Sequence, residues 1–136
     1  MQSTVVIIDD SEDDVLLTKF VLSKTGRDIR TEVALTGEAG ISLLRERETP
    51  PTLVLLDLKM PRMDGLEVLR TIRIDERLHH IPVVIVTNSK LESDERAAAA
   101  AGADSFLHKS TDVDQFRKDI ELILQSWLDT NAGHER

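Results

Sequence analysis

The sequence predicts a doubly wound α/β sandwich, a (βα)5 arrangement around a five-stranded parallel sheet in the order 2-1-3-4-5. Short apolar runs alternate with longer amphipathic segments five times along the chain, the pattern of successive βα units. The runs are near-continuously apolar, as in LVLL at Leu53–Leu56 and VVIV at 83–86, which suits strands covered by helices on both faces. Right-handed crossovers then leave few topologies, of which 2-1-3-4-5 is the expected one.

Residues 4–8 form a β-branched first strand that ends on Asp9 and Asp10. Ser11 opens the first helix with Asp14 three residues on, a capping-box arrangement. Glu12, Asp13 and Asp14 fill its first turn, where the macrodipole favours acids. Gly26 ends that helix, and residues 29–35 alternate as a second strand. Thr36 caps a second helix carrying Ala39, Ile41, Leu43 and Leu44, and the Pro50-Pro51 pair forces a break after it. Leu53–Leu56 is the third strand and terminates in Asp57. After the loop KMPRM at 59–63, Asp64 caps a third helix with Leu66, Leu69 and Ile72 toward the core. Pro82 precedes the fourth strand, which ends at Thr87. Ser89 and Glu92 read as another capping box before the alanine run 97–101, and Gly102 as its C′ residue. Residues 104–109 are the last strand, and the last helix sets Val113, Phe116, Ile120, Ile123, Leu124 and Trp127 on one face. A single domain is expected over residues 1–128, with a frayed polar tail at 129–136.

The chain has 136 residues and 40% apolar content, enough for one core. No apolar run approaches the roughly 18–20 residues of a membrane span. The N-terminus turns acidic within MQSTVVIIDD and has no basic-then-apolar leader. Cysteine is absent, which excludes disulfides and thiolate metal sites and is compatible with a cytoplasmic location. The net charge is −8, with 25 acids against 17 Lys and Arg, so direct nucleic-acid binding is not expected. Arg62, Arg70, Arg73 and Arg77 alternate with Asp64, Glu67, Asp75 and Glu76, a mixture that reads as a solvated helix face and loop. The histidines at 79, 80, 108 and 134 form no ligand pattern.

Sites in open α/β sheets form beyond the carboxyl ends of the strands, at the topological switch point. The residues ending the apolar runs are Asp9 and Asp10, Asp57, Thr87 and Lys109. Three carboxylates, a hydroxyl and an ammonium therefore converge. Two carboxylates about 4 Å apart repel by roughly 4 kcal/mol at an effective dielectric near 20, and one Lys cannot neutralise three acids. A divalent cation can, and an all-oxygen set suits Mg²⁺, which combines carboxylates with phosphate oxygens.

These residues resemble those of the response-regulator receiver domains of two-component systems. The likeness covers about residues 4–128 and rests on VVIIDDSEDD, LVLLDLKMPRMDG, VVIVTNS and ADSFLHKS. The D-x-x-M-P-x-M-D-G stretch from Asp57 to Gly65 is its most specific part. The IRIDERLHHIPVVIVT segment and the expected lack of an output domain narrow it to small regulators that partner phytochrome-type histidine kinases. The resemblance implies a flavodoxin-like fold and a phosphoacceptor rather than an enzyme. It implies Asp57 as nucleophile toward a kinase phosphohistidine or a phosphotransfer protein. Asp10, Asp57 and the Lys59 backbone carbonyl would hold Mg²⁺ (or Mn²⁺), with Asp9 on a coordinated water. Lys109 would pair with a phosphoryl oxygen, and Thr87 and Phe106 would form the switch. A simple core Phe is the other reading of Phe106.

Three residues depart from that family's pattern. Ser110 follows Lys109 where a cis-proline is usual, which leaves the loop path and the reach of Lys109 open. Asn88 follows Thr87 where a small residue is usual, which bears on access to Asp57. Lys59 either reaches the phosphoryl group or is solvated and contributes only its carbonyl. Aspartyl phosphohydrolases, an enzymatic alternative, carry D-x-D after the first strand, whereas Asp9-Asp10-Ser11 has serine at the second acid. A receiver that binds partners without phosphorylation would have lost an acid, the Thr or the Lys, and all are present. Trp127 and Leu128 extend apolar character to the end of the last helix and suggest homodimerisation there.

Overall fold

The apolar runs form one sheet, and the amphipathic segments between them cross over it as helices. The computed structural model describes residues 2–129. Its elements are β1 (Ser3–Ile8), α1 (Glu12–Ser23), β2 (Ile29–Ala34), α2 (Gly37–Glu46), β3 (Leu53–Leu56), α3 (Gly65–Ile74), β4 (Val83–Thr87), α4 (Glu92–Ala101), β5 (Ser105–His108) and α5 (Val113–Leu124), then a π-helical turn at Gln125–Asp129. The strands are all parallel, in the predicted order β2-β1-β3-β4-β5.

Alternation along the strands divides the core into two layers. Val6, Ile8, Val54, Leu56, Val83 and Ile85 pack with residues of α2, α3 and α4, among them Leu44, Leu69, Ile72 and Ala98. Val5, Ile7, Leu53, Leu55, Val84 and Val86 pack with α1 and α5 through Val15, Leu22, Phe116, Ile120 and Leu124. The central strands thus bury both faces, which is why their sequences lack polar interruptions.

Several caps form as the sequence indicates. Ser11, Thr36 and Asp64 accept the backbone N–H of Asp14, Ala39 and Glu67, and Gly102 ends α4 at φ 103°. The Ser89 capping box does not form. The Ser89 hydroxyl donates to the Asp94 carboxylate and accepts the Leu91 N–H, so α4 starts after Leu91 without a side-chain cap. On α5, Phe116, Ile120 and Leu124 are buried, but Val113 is 43% exposed because it begins the helix beyond the sheet edge. The chain does not fray at Asp129, whose carboxylate takes two hydrogen bonds from Arg27, at 2.5 and 2.9 Å. Leu128 is buried and Trp127 packs against the same layer, so both serve this chain's own core. The rest of the expected tail, 130–136, lies outside the described residues.

Arg73 departs from the solvated arginine face. Its guanidinium donates to the carbonyls of Gly102, His79 and Ile81 at 2.9, 2.9 and 2.7 Å, and to Asp104 at 2.9 Å. Asp104 also accepts the Val83 N–H at 2.8 Å. One side chain on α3 therefore closes the end of α4 and the starts of β4 and β5. Arg73→Ala is expected to lower unfolding stability by about 2–4 kcal/mol, read as a lower urea midpoint at unchanged m. Arg73→Lys should recover only part of this, since an ammonium cannot reproduce the planar fork.

Candidate functional site

Parallel pairing continues one residue past three of the strands. The Asp9 N–H donates to Ala34 C=O at 3.1 Å, Asp57 to Ile8 at 2.8 Å and Lys109 to Thr87 at 2.8 Å. Ladder hydrogen bonds, rather than loop conformation, thus hold these three residues at the carboxyl end of the sheet. Continuing the strand alternation turns Asp9, Asp57 and Lys109 toward the α1/α5 side, and Thr87 and Phe106 toward the α2–α4 side.

The charged members of the predicted cluster come together, while the Thr87 hydroxyl meets the Ser89 N–H instead. Asp9, Asp10 and Asp57 each offer a carboxylate oxygen within 4.8 Å of the others. Asp9 and Asp57 are buried and Asp10 is exposed, so the cluster opens to solvent on one side. A group of three oxygen ligands this close suits one hard divalent cation. Lys109 reaches in. Its Nζ lies 2.8 Å from Asp9 and 3.8 Å from Asp57, with the side chain 8% exposed. The Lys109–Ser110 peptide is trans, as are all peptides among the described residues.

A further acid, Asp14, completes this cluster and is absent from the sequence-predicted set. Its carboxylate lies 2.8 Å from Lys109 Nζ. In a capping box the Asp14 side chain would reach back to the Ser11 N–H. That N–H instead donates to Asp9 at 3.0 Å, which frees Asp14 for Lys109. The only sequence signal was position, since Asp14 lies one helical turn past the acids that end β1.

Three carboxylates, those of Asp9, Asp14 and Asp57, lie within 4 Å of the Lys109 ammonium, and burial and these charges together set the protonation behaviour of the cluster. Burial pushes the Asp57 carboxyl up to about 6; the Lys109 charge opposes this, that of Asp9 adds to it, and hydrogen bonds from the Leu58 and Lys59 N–H groups ease it down. Burial alone would lower Lys109, but hydrogen bonds to Asp14 and Asp9 and the charges of Asp57 and Asp9 outweigh it and raise its pKa.

The loops around Asp57 are tied together. A Cβ at Gly65 would fall 2.2 Å from the Asp57 carbonyl oxygen, so only glycine lets α3 start against the Asp57 turn. The Lys59 side chain is 63% exposed, and its ammonium pairs with Asp94 on α4 at 3.2 Å. Asp94 also accepts the Ser89 hydroxyl, and the two contacts hold its carboxyl below the usual range. The Ser89 N–H in turn donates to the Thr87 hydroxyl at 3.2 Å. Thr87 is buried. Phe106 is half-buried, packs on the α2–α4 layer and meets the His108 ring edge-on at 5.3 Å. Asn88 is exposed and lines a cleft of about 210 Å³ beside Lys109 and Asp14.

The Asp57 shift has a stability consequence. An acid whose folded pKa lies above its unfolded value keeps a proton that the unfolded chain releases, so stability falls as pH rises from about 4 to 6. In metal-free buffer at pH 7.5, Asp57→Asn should be more stable than wild type by on the order of 2–3 kcal/mol. Urea denaturation should show that gap narrowing toward pH 4.

Comparison with known proteins agrees with this geometry. Residues 5–121 match the family model of the response regulator receiver domain. The probable methanogenesis regulatory protein FilR2 of Methanothrix harundinacea is 33% identical over 133 residues, covering 95% of this chain and 86% of that protein. The phosphorylated cyanobacterial phytochrome response regulator RcpA superposes with a TM-score of 0.87 at 27% identity, covering 96% of each chain. The Mn²⁺-bound form of response regulator Rcp1 gives 0.83 at 31% identity, covering 94% of this chain and 96% of that one. A family match across nearly all the described residues, on a fold that brings the strand-end acids and Lys109 together, makes this chain a member of the response-regulator receiver family.

Proposed function

We propose that this chain is a response-regulator receiver that accepts a phosphoryl group onto Asp57 in a Mg²⁺-dependent reaction and signals by changing conformation. The observation that carries this reading is a buried Asp57 with two further carboxylates beside it and Lys109 at 3.8 Å. The donor is a histidine kinase or a phosphotransfer protein. An Asp57 oxygen attacks phosphorus, the bond from phosphorus to the imidazole nitrogen breaks, and the nitrogen keeps the electron pair. The chain is a phosphoacceptor that assists its own charging and clearing, not an enzyme acting on other substrates.

The donor set fits Mg²⁺ or Mn²⁺, since carboxylates crowded this closely need a compact charge between them. The Mn²⁺-bound form of Rcp1 supports the same class of ion. Asp10, Asp57 and the Lys59 carbonyl would hold the cation and Asp9 a coordinated water. Bound there, it supplies positive charge that keeps Asp57 ionised and offsets charge on the transferring group. Lys109 moves onto a phosphoryl oxygen. The Thr87 hydroxyl donates to another once the β4–α4 loop moves inward, and Phe106 follows into the space released. Phosphorylation acts by stabilising that second arrangement more than the first.

The likeness to RcpA, a phytochrome response regulator, favours a phytochrome-type kinase as partner. Such a partner implies a cytoplasmic site of action, and no helix among the described residues is long and apolar enough to cross a membrane. A homodimer through the last helix would rest on Leu122, 61% exposed, since Leu128 and Trp127 face inward.

Incubation with Mg²⁺ and acetyl phosphate is expected to add one phosphoryl group, seen by intact-mass spectrometry and abolished by EDTA. Asp57→Asn should gain none. Unmodified wild type, or equal modification of the variant, would overturn the proposal.

A further inference from the structure

We propose that Asp14 is a positioning residue for this site: it holds the Lys109 ammonium off Asp57 in the resting chain, leaving an Asp57 oxygen open to a cation and to the phosphoryl donor. The inference rests on the acceptor reading above and goes beyond it, by assigning a role to a residue outside the strand-end set.

An ammonium has three N–H donors. Lys109 gives its short contacts to Asp9 and Asp14, both at 2.8 Å. Its distance to Asp57, 3.8 Å, is too long for a hydrogen bond. The Lys109 side chain is only 8% exposed, so water cannot fully replace a lost acceptor. Without the Asp14 carboxylate, the next carboxylate oxygen after that of Asp9 is Asp57 Oδ1, at 3.8 Å about 0.6 Å beyond hydrogen-bond reach. Lys109 would close on that oxygen and compete with a cation for it.

The same contact can be released. The Asp14 side chain is 30% exposed, against 5% for Asp9, and it borders the open cleft beside Asn88 and Ser110. Of the two short bonds, the one to Asp14 is the cheaper to exchange for water when a phosphoryl oxygen arrives. Asp14 is therefore a resting-state holder for Lys109, and Asp9 the permanent one.

The test is Mg²⁺ affinity by isothermal titration calorimetry with no phosphoryl donor present. It compares wild type, Asp14→Asn, Asp14→Glu and Asp13→Asn. Asp13 is exposed on the same helical turn, so its variant removes the same charge without touching Lys109. Asp14→Asn should weaken Mg²⁺ binding about tenfold, the scale of one charged hydrogen bond, while Asp13→Asn stays within about twofold. Asp14→Glu should recover most of the loss, and urea midpoints near wild type show that the variants are folded. Equal affinities for folded Asp14→Asn and Asp13→Asn, or no recovery by Asp14→Glu, would overturn the role of Asp14 alone. No Mg²⁺ binding by wild type would overturn the acceptor reading and this inference with it.

Discussion

The ammonium of Lys109 sits within 4 Å of three carboxylates at the carboxyl end of the sheet, those of Asp9, Asp14 and Asp57, with Asp10 beside Asp9 and Asp57, and the wiring of the site depends on that imbalance. It ties the end of β5 to the end of β1 and to the first turn of α1, across about a hundred residues of sequence. The pairing raises the affinity of Lys109 for its proton, so the tie persists through the physiological pH range. It does not cancel the negative charge. Burial, with the Asp9 charge adding to it, leaves Asp57 reluctant to ionise, and the excess of acids over Lys109 suits a divalent cation.

Strand parity separates the acidic cluster from Thr87 and Phe106. Asp9, Asp57 and Lys109 turn to the α1/α5 side, whereas Thr87 and Phe106 turn to the side covered by α2, α3 and α4. Under the proposed acceptor role, the β4–α4 loop is the link between Asp57 and the second side. There the Thr87 hydroxyl, Ser89, Asp94 and Lys59 form one connected set of polar contacts. Lys59 belongs to the Asp57 loop and Asp94 to α4, so these contacts link the Thr87 loop to both. Leu91, at the start of α4, is exposed and provides no side-chain cap.

The elements most legible in the sequence were those specified by local rules. The caps at Ser11, Thr36 and Asp64 and the stop at Gly102 depend on residues within one turn, and all form. Ser89 is the exception: α4 starts only after Leu91, so its hydroxyl accepts the Leu91 N–H ahead of the helix and donates to the Asp94 carboxylate within it. Arg73 was misread because its partners lie on three other segments. Asp129 was misread because its partner, Arg27, lies at the other end of the chain. Val113 kept the helical phase but lay beyond the layer it was meant to cover.

By itself the sequence determined the order of strands and helices, the parallel sheet, and the set Asp9, Asp10, Asp57, Thr87 and Lys109. Strand-end residues follow from where apolar runs stop, and a parallel sheet brings those ends to one edge. Tertiary structure alone decided how that set is wired. Whether Lys109 pairs with Asp57 or stands off it depends on Asp14, on a helix whose cap happens to leave the Asp14 carboxylate free. Whether Lys59 faces the phosphoryl position depends on Asp94, two elements away. Ionic contacts of this kind are settled by distances between side chains from separate elements. Periodicity and capping describe one element at a time, so they carry no record of those distances.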